Sequence, residues 1–177
     1  MKKILVLLLA AILLLTMAAC GAKEKEEEDS GEGSINPWKE AESAEKAADG
    51  AGVGYFMVPE NGTETSGGPI DILRFQYMKG IAEADGAIGT ADLTIRKGLK
   101  QDSEDVSGDY TAYPYAWTQE VDGWEVYCLG NEDGKMMKAI WLSDNFSYSI
   151  VIRGQGDLAE SYGVDADAVA ALVSGIQ

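Results

Sequence analysis

Carboxylates are the side chains with the most chemical potential in this sequence, which carries 30 Asp and Glu and no histidine. The lack of histidine removes the commonest general base, the usual zinc ligand and every Ser-His or Cys-His nucleophile. A carboxylate pair, as used by glycosidases, remains an alternative. Glu83 and Asp85 would lie on one face of a strand, about 7 Å apart by the strand rise. A solvated sheet face explains them more simply, and we predict no enzymatic activity.

Residues 102–109 (DSEDVSGD) form the most suggestive candidate for a calcium site. An EF-hand loop needs oxygen ligands at positions 1, 3 and 5 and glycine at position 6. Counted from Asp102, position 5 is Val106 and position 6 is Ser107, so the EF-hand pattern fails. The frequent use of Asp, Ser and Gly in turns explains the segment, and a looser calcium loop is the alternative. We predict no metal and no cofactor.

Aromatic residues are concentrated late in the chain, where nine of the fifteen fall between positions 110 and 148. Such concentrations form platforms for ligands or partners, but they also fill β-sheets. Filling is the simpler interpretation. The best candidate for a ligand-binding site is the aromatic cluster at the end of the acidic loop, which contains Tyr110, Tyr113, Tyr115 and Trp117.

Cys20 follows a segment that is typical of an exported protein. Met1-Lys2-Lys3 is a short basic region, residues 4–15 are an unbroken apolar run, and two alanines at 18–19 directly precede the cysteine. Small residues before a cleavage point are typical of a signal peptide. The pattern resembles the lipobox of bacterial lipoproteins, in which the cysteine receives a diacylglycerol and the signal is cut before it. Met17 stands where the lipobox usually has an aliphatic residue.

The pattern predicts a signal peptide over residues 1–19 and a lipid on Cys20 that anchors the chain to the outer side of the cell membrane. The alternative is an uncleaved span, but the apolar run of 16 residues at 4–19 is shorter than the roughly 20 residues that a bilayer needs. With Cys20 lipidated, Cys128 has no disulfide partner, and its apolar setting predicts a buried, inert thiol.

The chain is strongly acidic, with a formal charge of −16 that becomes −18 once Lys2 and Lys3 leave with the leader. Such a charge repels nucleic acid and anionic lipid headgroups, so nucleic-acid binding is excluded. Residues 23–34 hold no large apolar side chain and cannot offset the entropy of ordering them. We therefore predict a disordered acidic tether over residues 20–35.

The mature chain keeps three arginines, each of which points away from the most apolar face of its predicted strand. In so acidic a chain they are expected to pair with carboxylates and to link neighbouring strands. A clamp for a carboxylate ligand is the alternative. The three are Arg74, Arg96 and Arg153.

Helical patterns lie at both ends of residues 36–177. An N-cap and a proline at Asn36-Pro37 begin the first helix, whose alanine face and Trp38 would pack on a sheet before Gly50 ends it. The second helix opens with a hydrophobic staple formed by Val164, Asp165 and Val169.

Between the helices the apolar period is two, which is typical of strands. On the second of the predicted strands, Leu73, Phe75 and Tyr77 share a face. The predicted strands cover residues 55–58, 70–79, 81–88, 91–97, 115–121, 124–129, 136–142 and 146–153.

Tight turns join the last four strands into a meander, because Asp-Gly favours the type I′ turn of a hairpin. The turns lie at 122–123, 133–134 and 144–145. We predict a single α+β domain over residues 36–177. Its antiparallel sheet of about seven or eight strands ends in the four-strand meander and is packed by the N- and C-terminal helices.

Several short motifs extend along the second half of the chain. They are Ile95-Arg96-Lys97-Gly98, Val106-Ser107-Gly108-Asp109-Tyr110, Tyr113, Ala139-Ile140-Trp141 and Phe146-Ser147-Tyr148-Ser149-Ile150. These motifs resemble those of a family of uncharacterised Gram-positive lipoproteins. The resemblance covers residues 36–177 and implies one extracytoplasmic α+β domain. It implies no activity.

The leading functional prediction is a membrane-anchored lipoprotein whose extracytoplasmic domain binds or regulates without catalysis. Its partner would be a surface protein or a small ligand. The missing histidine, the missing nucleophile motif and the simple meander favour this prediction. The alternatives are an envelope hydrolase that uses a carboxylate pair and an accessory solute-binding lipoprotein, for which the chain is short.

Overall fold

Alternating apolar and polar residues form strands along most of the chain in the computed structural model, which describes residues 36–159 and 161–177. The predicted signal peptide (1–19), Cys20 and the tether (20–35) lie outside the described residues. Within the described part there are nine strands, two α-helices and one short 3-10 helix at Gly156–Leu158. The strands are β1 (Lys39–Ala41), β2 (Thr63–Thr65), β3 (Gly68–Met78), β4 (Ile81–Ile88), β5 (Ala91–Leu99), β6 (Tyr115–Val121), β7 (Trp124–Gly130), β8 (Lys138–Leu142) and β9 (Phe146–Arg153), and the helices are α1 (Ala44–Ala51) and α2 (Ala166–Ser174).

All strands pair antiparallel in one sheet, in the order β1-β3-β4-β5-β9-β8-β7-β6, with β2 also paired to β3. The α+β class is therefore confirmed, but the described chain has nine strands instead of seven or eight. The additional strands are β1 and β2, which are three residues each and pair with β3 at Lys39↔Tyr77 and Thr63↔Ile70. The predicted strand at 55–58 is wrong, because these residues form no ladder.

The four-strand meander is confirmed. Asp122 and Gly123 both adopt positive φ, 51° and 84°, as a type I′ turn requires. This turn joins β6 to β7 with Val121 opposite Trp124, and β8 and β9 complete the meander.

A register shift in β3 moves one side chain of the predicted apolar face. The ladder with β4 is irregular between Ile72 and Arg74, where Leu73 stands as an extra residue. A bulge of this kind reverses the alternation, so Ile72 and Phe75 both face the core while Leu73 is 77% exposed. The prediction that Leu73 shares a face with Phe75 is wrong for this reason.

The first helix begins later than the sequence pattern predicts. Ser43 is its N-cap and accepts a hydrogen bond from the Lys46 backbone, while Gly52 ends it with a positive φ of 75°. The alanine face does pack on the sheet, against β3 and β4. Trp38 precedes β1 and contacts Arg96 on the other side of the sheet, so its predicted place on the helix is wrong.

The predicted staple of the second helix is confirmed. Asp165 is the N-cap and its carboxylate accepts a hydrogen bond from the Ala168 backbone at 3.2 Å. Val164 and Val169 on either side of the cap are both buried. Helix α2 therefore starts where the sequence places it.

Helix α2 packs against β6 and β2, which lie towards opposite ends of the strand order. At one end, Gln119 Nε2 donates to the carbonyl of Ala166 at 2.9 Å. At the other end, the Ser66 hydroxyl donates to the N-cap carboxylate of Asp165. The sheet must curve around the helix for both contacts to form.

One face of the sheet carries the apolar core under the two helices, with side chains such as Leu93, Ile95, Ile150 and Ile152. The opposite face, which we call the outer face, carries several buried polar side chains, including Glu83, Lys138 and Ser147. Buried polar groups need hydrogen-bonding partners, so something other than the helices must cover this face. No helix in the described part of the chain is long and apolar enough to cross a membrane.

Candidate functional site

Residues 100–114, which we call the outer strap, cross the outer face and cover its polar side chains. Lys138 on β8 donates from Nζ to Asp105 Oδ2 at 2.7 Å and to the Asp109 carbonyl at 2.6 Å. On β9, the Ser147 hydroxyl donates to the Ser103 carbonyl at 2.6 Å. The acidic loop of the sequence is thus bound to the sheet by a buried cation.

Two residues of β5 hold the middle of the strap. Arg96 Nη1 donates to the carbonyls of Val106 and Ser107, at 3.2 and 2.6 Å. A Cβ added at Gly98 would lie 2.6 Å from Val106 Cγ1, so only glycine allows the strap this close to the sheet. The strap is consequently packed, with Val106 and Ser107 both buried.

The carboxylates of the strap are stabilised in their charged form. Burial alone would raise the pKa of Asp105, but hydrogen bonds from Lys138 and Ser107 outweigh burial and hold this pKa below its usual range. Burial would also raise the pKa of Asp109, but hydrogen bonds from Tyr113 and Thr111 outweigh burial and lower this pKa. Both carboxylates therefore stay ionised at neutral pH.

The predicted use of this segment in turns agrees with these contacts. The Ser107 backbone donates to Asp105 Oδ1, and the Thr111 hydroxyl donates to Asp109 Oδ1. Within the described residues, no group of three or more Asp, Glu or Cys side chains is arranged to hold a metal ion.

Beside the strap, the pairing of strands β7 and β8 is shorter than the strands themselves. Their ladder has three residue pairs and ends at Tyr127↔Ile140, although both strands continue. Extending the same register would place Val126 opposite Trp141, but no such pair forms. A cavity of about 660 Å³, which we call the wedge cavity, lies beside the end of this ladder. It is lined by Gly123, Trp124, Glu125 and Tyr127 from β7 and its turn, Ile140, Trp141 and Leu142 from β8, and Glu104 and Asp105 from the strap.

The aromatic wall of the wedge cavity includes Trp124 and Trp141, which pack against the Tyr148 ring behind them. The Trp141 ring stacks on Tyr148 with 5.3 Å between centroids and 7° between planes. Trp124 lies 6.4 Å from the same Tyr148 ring at a tilted angle. Both geometries are within the range that stabilises aromatic pairs, so the wall is held in place before any ligand arrives. Tyr127 on the outer side is 47% exposed.

The lining of the wedge cavity is acidic and contains no lysine or arginine. Glu104 and Glu125 are exposed, and Asp105 is paired with Lys138. An aromatic wall below uncompensated carboxylates attracts a cation that carries an apolar part, through ring quadrupoles and through charge.

The predicted carboxylate pair lies elsewhere, on the outer face of β4. The interpretation as a solvated sheet face is wrong for Glu83, which is 2% exposed and accepts hydrogen bonds from Arg96 and Gln76. Burial raises the pKa of Glu83, and the Gln76 and Arg96 contacts oppose that rise. Asp85 accepts from Arg74 at 2.5 Å and from Thr94 at 2.9 Å. All four carboxylate oxygens are thus already bound within the protein.

Each arginine contacts a carboxylate, as the sequence predicts. Arg74 bonds Asp85 and Arg96 bonds Glu83, in both cases between neighbouring strands. The third pair, Arg153 and Asp109, joins β9 to the outer strap, with 3.5 Å between the nitrogen and the oxygen.

The four aromatic residues of the predicted ligand site lie in different settings. Tyr110 is 95% exposed, Tyr115 is partly exposed, and Trp117 packs against the core. Tyr113 donates its hydroxyl to Asp109 at 2.6 Å, within the strap. Trp117 fits the interpretation that these aromatic residues fill the sheet, but Tyr110 does not. None of the four residues lines the wedge cavity.

Sequence reasoning missed the lining of the wedge cavity. Trp124, Glu125 and Tyr127 belong to a strand whose existence the pattern predicts, but the pattern does not show where its pairing stops. The signal that could have found them is the aromatic concentration itself, which includes Trp124 directly after the Asp-Gly turn.

The buried thiol is confirmed. Cys128 is buried on β7, and burial raises its pKa to about 12. A thiol with this pKa is almost fully protonated at neutral pH and is a poor nucleophile.

Comparison of the chain with protein-family models, with curated proteins and with solved structures finds no match. The resemblance to the Gram-positive lipoprotein family therefore stays a prediction that rests on its motifs.

Proposed function

We propose that this chain is a membrane-anchored lipoprotein whose folded domain binds a cationic, partly apolar ligand in the wedge cavity without transforming it. The observation that carries the proposal is the joining of an aromatic wall and an acidic lining in one cavity. Its volume of about 660 Å³ lies within the range of ordinary small-ligand sites, about 300–1,000 Å³.

A bound cation elsewhere in the same aromatic layer supports the choice of ligand. The Lys97 ammonium lies 4.4 Å from the Phe146 ring centroid and 5.2 Å from that of Tyr148. It also donates to the Tyr55 carbonyl. The layer thus stabilises one ammonium group, and two other residues of the layer, Trp124 and Trp141, line the wedge cavity.

Binding is favoured over hydrolysis by the chemistry of the available groups. The sequence has no histidine, and the Glu83–Asp85 pair has each oxygen engaged by a neighbouring side chain. A general acid and base need free access to a substrate and a proton to transfer. The carboxylates of the wedge cavity suit charge recognition because Glu104 and Glu125 are exposed.

Binding of benzyltrimethylammonium, with benzyl alcohol and benzoate as matched probes, tests this proposal. We expect backbone amide NMR shifts of residues 123–127 and 140–142 with the cation, and weak or no shifts with benzoate. Trp124→Ala should raise Kd about fivefold or more, and Glu125→Gln about threefold, because cation–π and exposed charge contacts are each worth roughly 0.5–1 kcal/mol.

Variants outside the cavity serve as controls for that titration. Tyr110→Ala removes an almost fully exposed aromatic ring, and Glu64→Gln removes an exposed carboxylate on β2. Both should leave Kd unchanged. Equal affinity for benzoate and for the cation, or shifts confined to other surfaces, would contradict the proposal.

The membrane anchor is tested separately, through Cys20. Replacement of Cys20 by alanine should abolish incorporation of labelled fatty acid and leave the chain unprocessed or released, because no other residue offers the acylated thiol. Cys128→Ala is the matched control and should incorporate label normally, since this thiol is buried. Absence of label from both the natural chain and the control would show that the chain is not a lipoprotein.

A further inference from the structure

We infer that the ligand of the wedge cavity is a linear polyamine, an aliphatic chain that carries two or more ammonium groups and no anionic group. This inference rests on the proposed function and names the class of its ligand. The cavity of about 660 Å³ is much larger than one ammonium group requires, because such a group is about the size of a water molecule, roughly 30 Å³. It therefore has room for several charged groups and for the chain that joins them.

Two opposed carboxylates lie at the β7 side of the wedge cavity. Glu125 lines the cavity, and Glu120 on β6 is its direct cross-strand partner. Directly opposed residues have their Cβ atoms about 5 Å apart, and like charges in this arrangement repel each other. Both residues are exposed, and none of the ion pairs within residues 36–159 and 161–177 includes either of them. One ammonium group placed between these carboxylates would offset the repulsion.

A third carboxylate reaches the cavity from a different part of the chain. Glu104 belongs to the outer strap, is exposed, and likewise takes part in no ion pair within the described residues. Its neighbour Asp105 already binds the Lys138 ammonium. A single ammonium group between Glu120 and Glu125 would leave Glu104 uncompensated, whereas a ligand with ammonium groups at intervals along a chain can contact all three carboxylates.

Apolar side chains lie among these carboxylates. Ile140 and Leu142 line the cavity from β8, and Trp124 and Tyr127 line it from β7. The two aromatic residues are 36% and 47% exposed, so their surfaces are open to a ligand. The methylene groups of a polyamine would pack on these side chains, while its ammonium groups would lie beside the rings and the carboxylates.

The same lining disfavours ligands that combine a cation with an anion. It contains no lysine or arginine, so the carboxylate of an amino acid or the phosphate of a phosphocholine group would have no cationic partner there. Such an anion would also be repelled by Glu104 and Glu125. A metal ion fits no better, because the carboxylates of the described residues form no group of three or more that is arranged to hold one.

Titration of the full chain with a matched series of amines tests the number of ammonium groups. The probes are butylamine, 1,4-diaminobutane and spermidine, which carry increasing charge on similar aliphatic chains, and 4-aminobutanoate, in which a carboxylate replaces one amine. We expect Kd to fall with each added ammonium group, by about fivefold or more from butylamine to spermidine, because one exposed charge contact contributes a factor of up to about five. The zwitterion should bind more weakly than butylamine, and amide NMR shifts should appear at residues 123–127 and 140–142.

Glu120→Gln separates the polyamine from a single cation, because Glu120 lies opposite Glu125 but does not line the cavity. This variant should raise Kd for spermidine about threefold and should change Kd for benzyltrimethylammonium by less than about twofold. Glu64→Gln, which removes an exposed carboxylate on β2, is the matched control and should change neither value.

The outcomes separate this inference from the proposed function. Spermidine no tighter than butylamine, with benzyltrimethylammonium still bound at the wedge cavity, overturns the polyamine and leaves the proposed function standing. Equal weakening of spermidine by Glu64→Gln and Glu120→Gln also overturns it, because the attraction would then come from the acidity of the whole chain. Tighter binding of the doubly charged peptide acetyl-Lys-Gly-Lys-amide than of 1,4-diaminobutane would identify a polypeptide ligand instead. Failure of every cationic probe at the cavity overturns both.

Discussion

Replacing Arg96 with methionine should lower the free energy of unfolding by about 3–5 kcal/mol, the loss seen when one partner of a buried ion pair is removed. The partner is Glu83, whose side chain is only 3% exposed. Without Arg96 its carboxylate keeps only the Gln76 amide as a close donor. A buried charge with so few partners is strongly destabilising.

Arg96 also joins three parts of the molecule that are distant in the chain. Its guanidinium donates to the Val106 and Ser107 carbonyls of the outer strap. The Trp38 ring covers it at 5.1 Å from the ring centroid. The loss on substitution therefore includes strap contacts as well as the ion pair, and it should appear as weaker protection of the strap amides in hydrogen exchange.

The loss of stability caused by Arg96→Met should depend on pH, through the protonation of Glu83. Burial already raises the pKa of Glu83, and removal of Arg96 removes a contact that opposes the rise. A carboxyl whose pKa is raised by folding is stabilising below its unfolded pKa, roughly 4, and loses that contribution as pH rises through the folded value. Urea unfolding of Arg96→Met should thus give a smaller loss near pH 4 than at pH 7.

Two further variants make this test specific. Glu83→Gln/Arg96→Met removes the buried charge and should recover about 2 kcal/mol at pH 7 relative to Arg96→Met alone. Arg74→Met is the matched control, because the Arg74 side chain is 53% exposed in its pair with Asp85, and it should lose less than about 1 kcal/mol. An equal loss for Arg74→Met and Arg96→Met would mean that burial of the pair has no energetic consequence.

Local turn and cap chemistry explains why the sequence predicts the second half of the fold well. The Asp122-Gly123 turn needs positive φ at two residues, and few dipeptides tolerate that geometry. The cap at Asp165 likewise depends on residues within four positions of it. Such features depend on residues within short stretches of chain, so they can be predicted from a single sequence.

The first half was predicted less well because its elements depend on distant partners. Strand β1 exists through its pairing with β3, some 35 residues later in the chain. The bulge at Leu73 is visible only in the register of β3 against β4. Neither feature has a local signal, which explains the misplaced start of the first helix and the misplaced face of Leu73.

The candidate site was missed for the same physical reason. The prediction chose aromatic residues that are adjacent in sequence, from Tyr110 to Trp117. The wedge cavity instead arises where the pairing of β7 and β8 ends, next to a strap that arrives from residues 104–105. The acidic loop was correctly recognised as rich in turns, but its binding to Lys138 depends on a residue 33 positions away.

Replacing Lys138 with methionine should lower the free energy of unfolding by about 2–3 kcal/mol, because two acceptors lose a charged donor. One acceptor is the Asp105 carboxylate, and the other is the carbonyl of the buried residue Asp109. Methionine keeps the length of the side chain and its apolar contacts, so the loss of stability measures the contribution of the ammonium group. Urea unfolding at pH 7 measures it.

The same variant links the strap to the wedge cavity. Asp105 has a lowered pKa in part through Lys138, so its stabilisation is present above the unfolded carboxyl pKa, roughly 4, and is lost as pH falls through the folded value. In Lys138→Met this acid-sensitive part of the free energy of unfolding should largely disappear, because Asp105 keeps only its contacts with Ser107. Asp105→Asn, in an otherwise natural chain, should show the same weaker dependence of stability on pH.

Ligand affinity decides whether the strap is part of the binding site. Release of the strap removes Glu104 and Asp105 from the cavity, so Lys138→Met should raise Kd for benzyltrimethylammonium at least about threefold. Lys39→Met, which removes an exposed ammonium on β1, is the control and should change neither stability nor Kd by a measurable amount. Unchanged Kd in Lys138→Met, together with lost protection of residues 103–109, would mean that the β7 and β8 walls bind the cation without the strap.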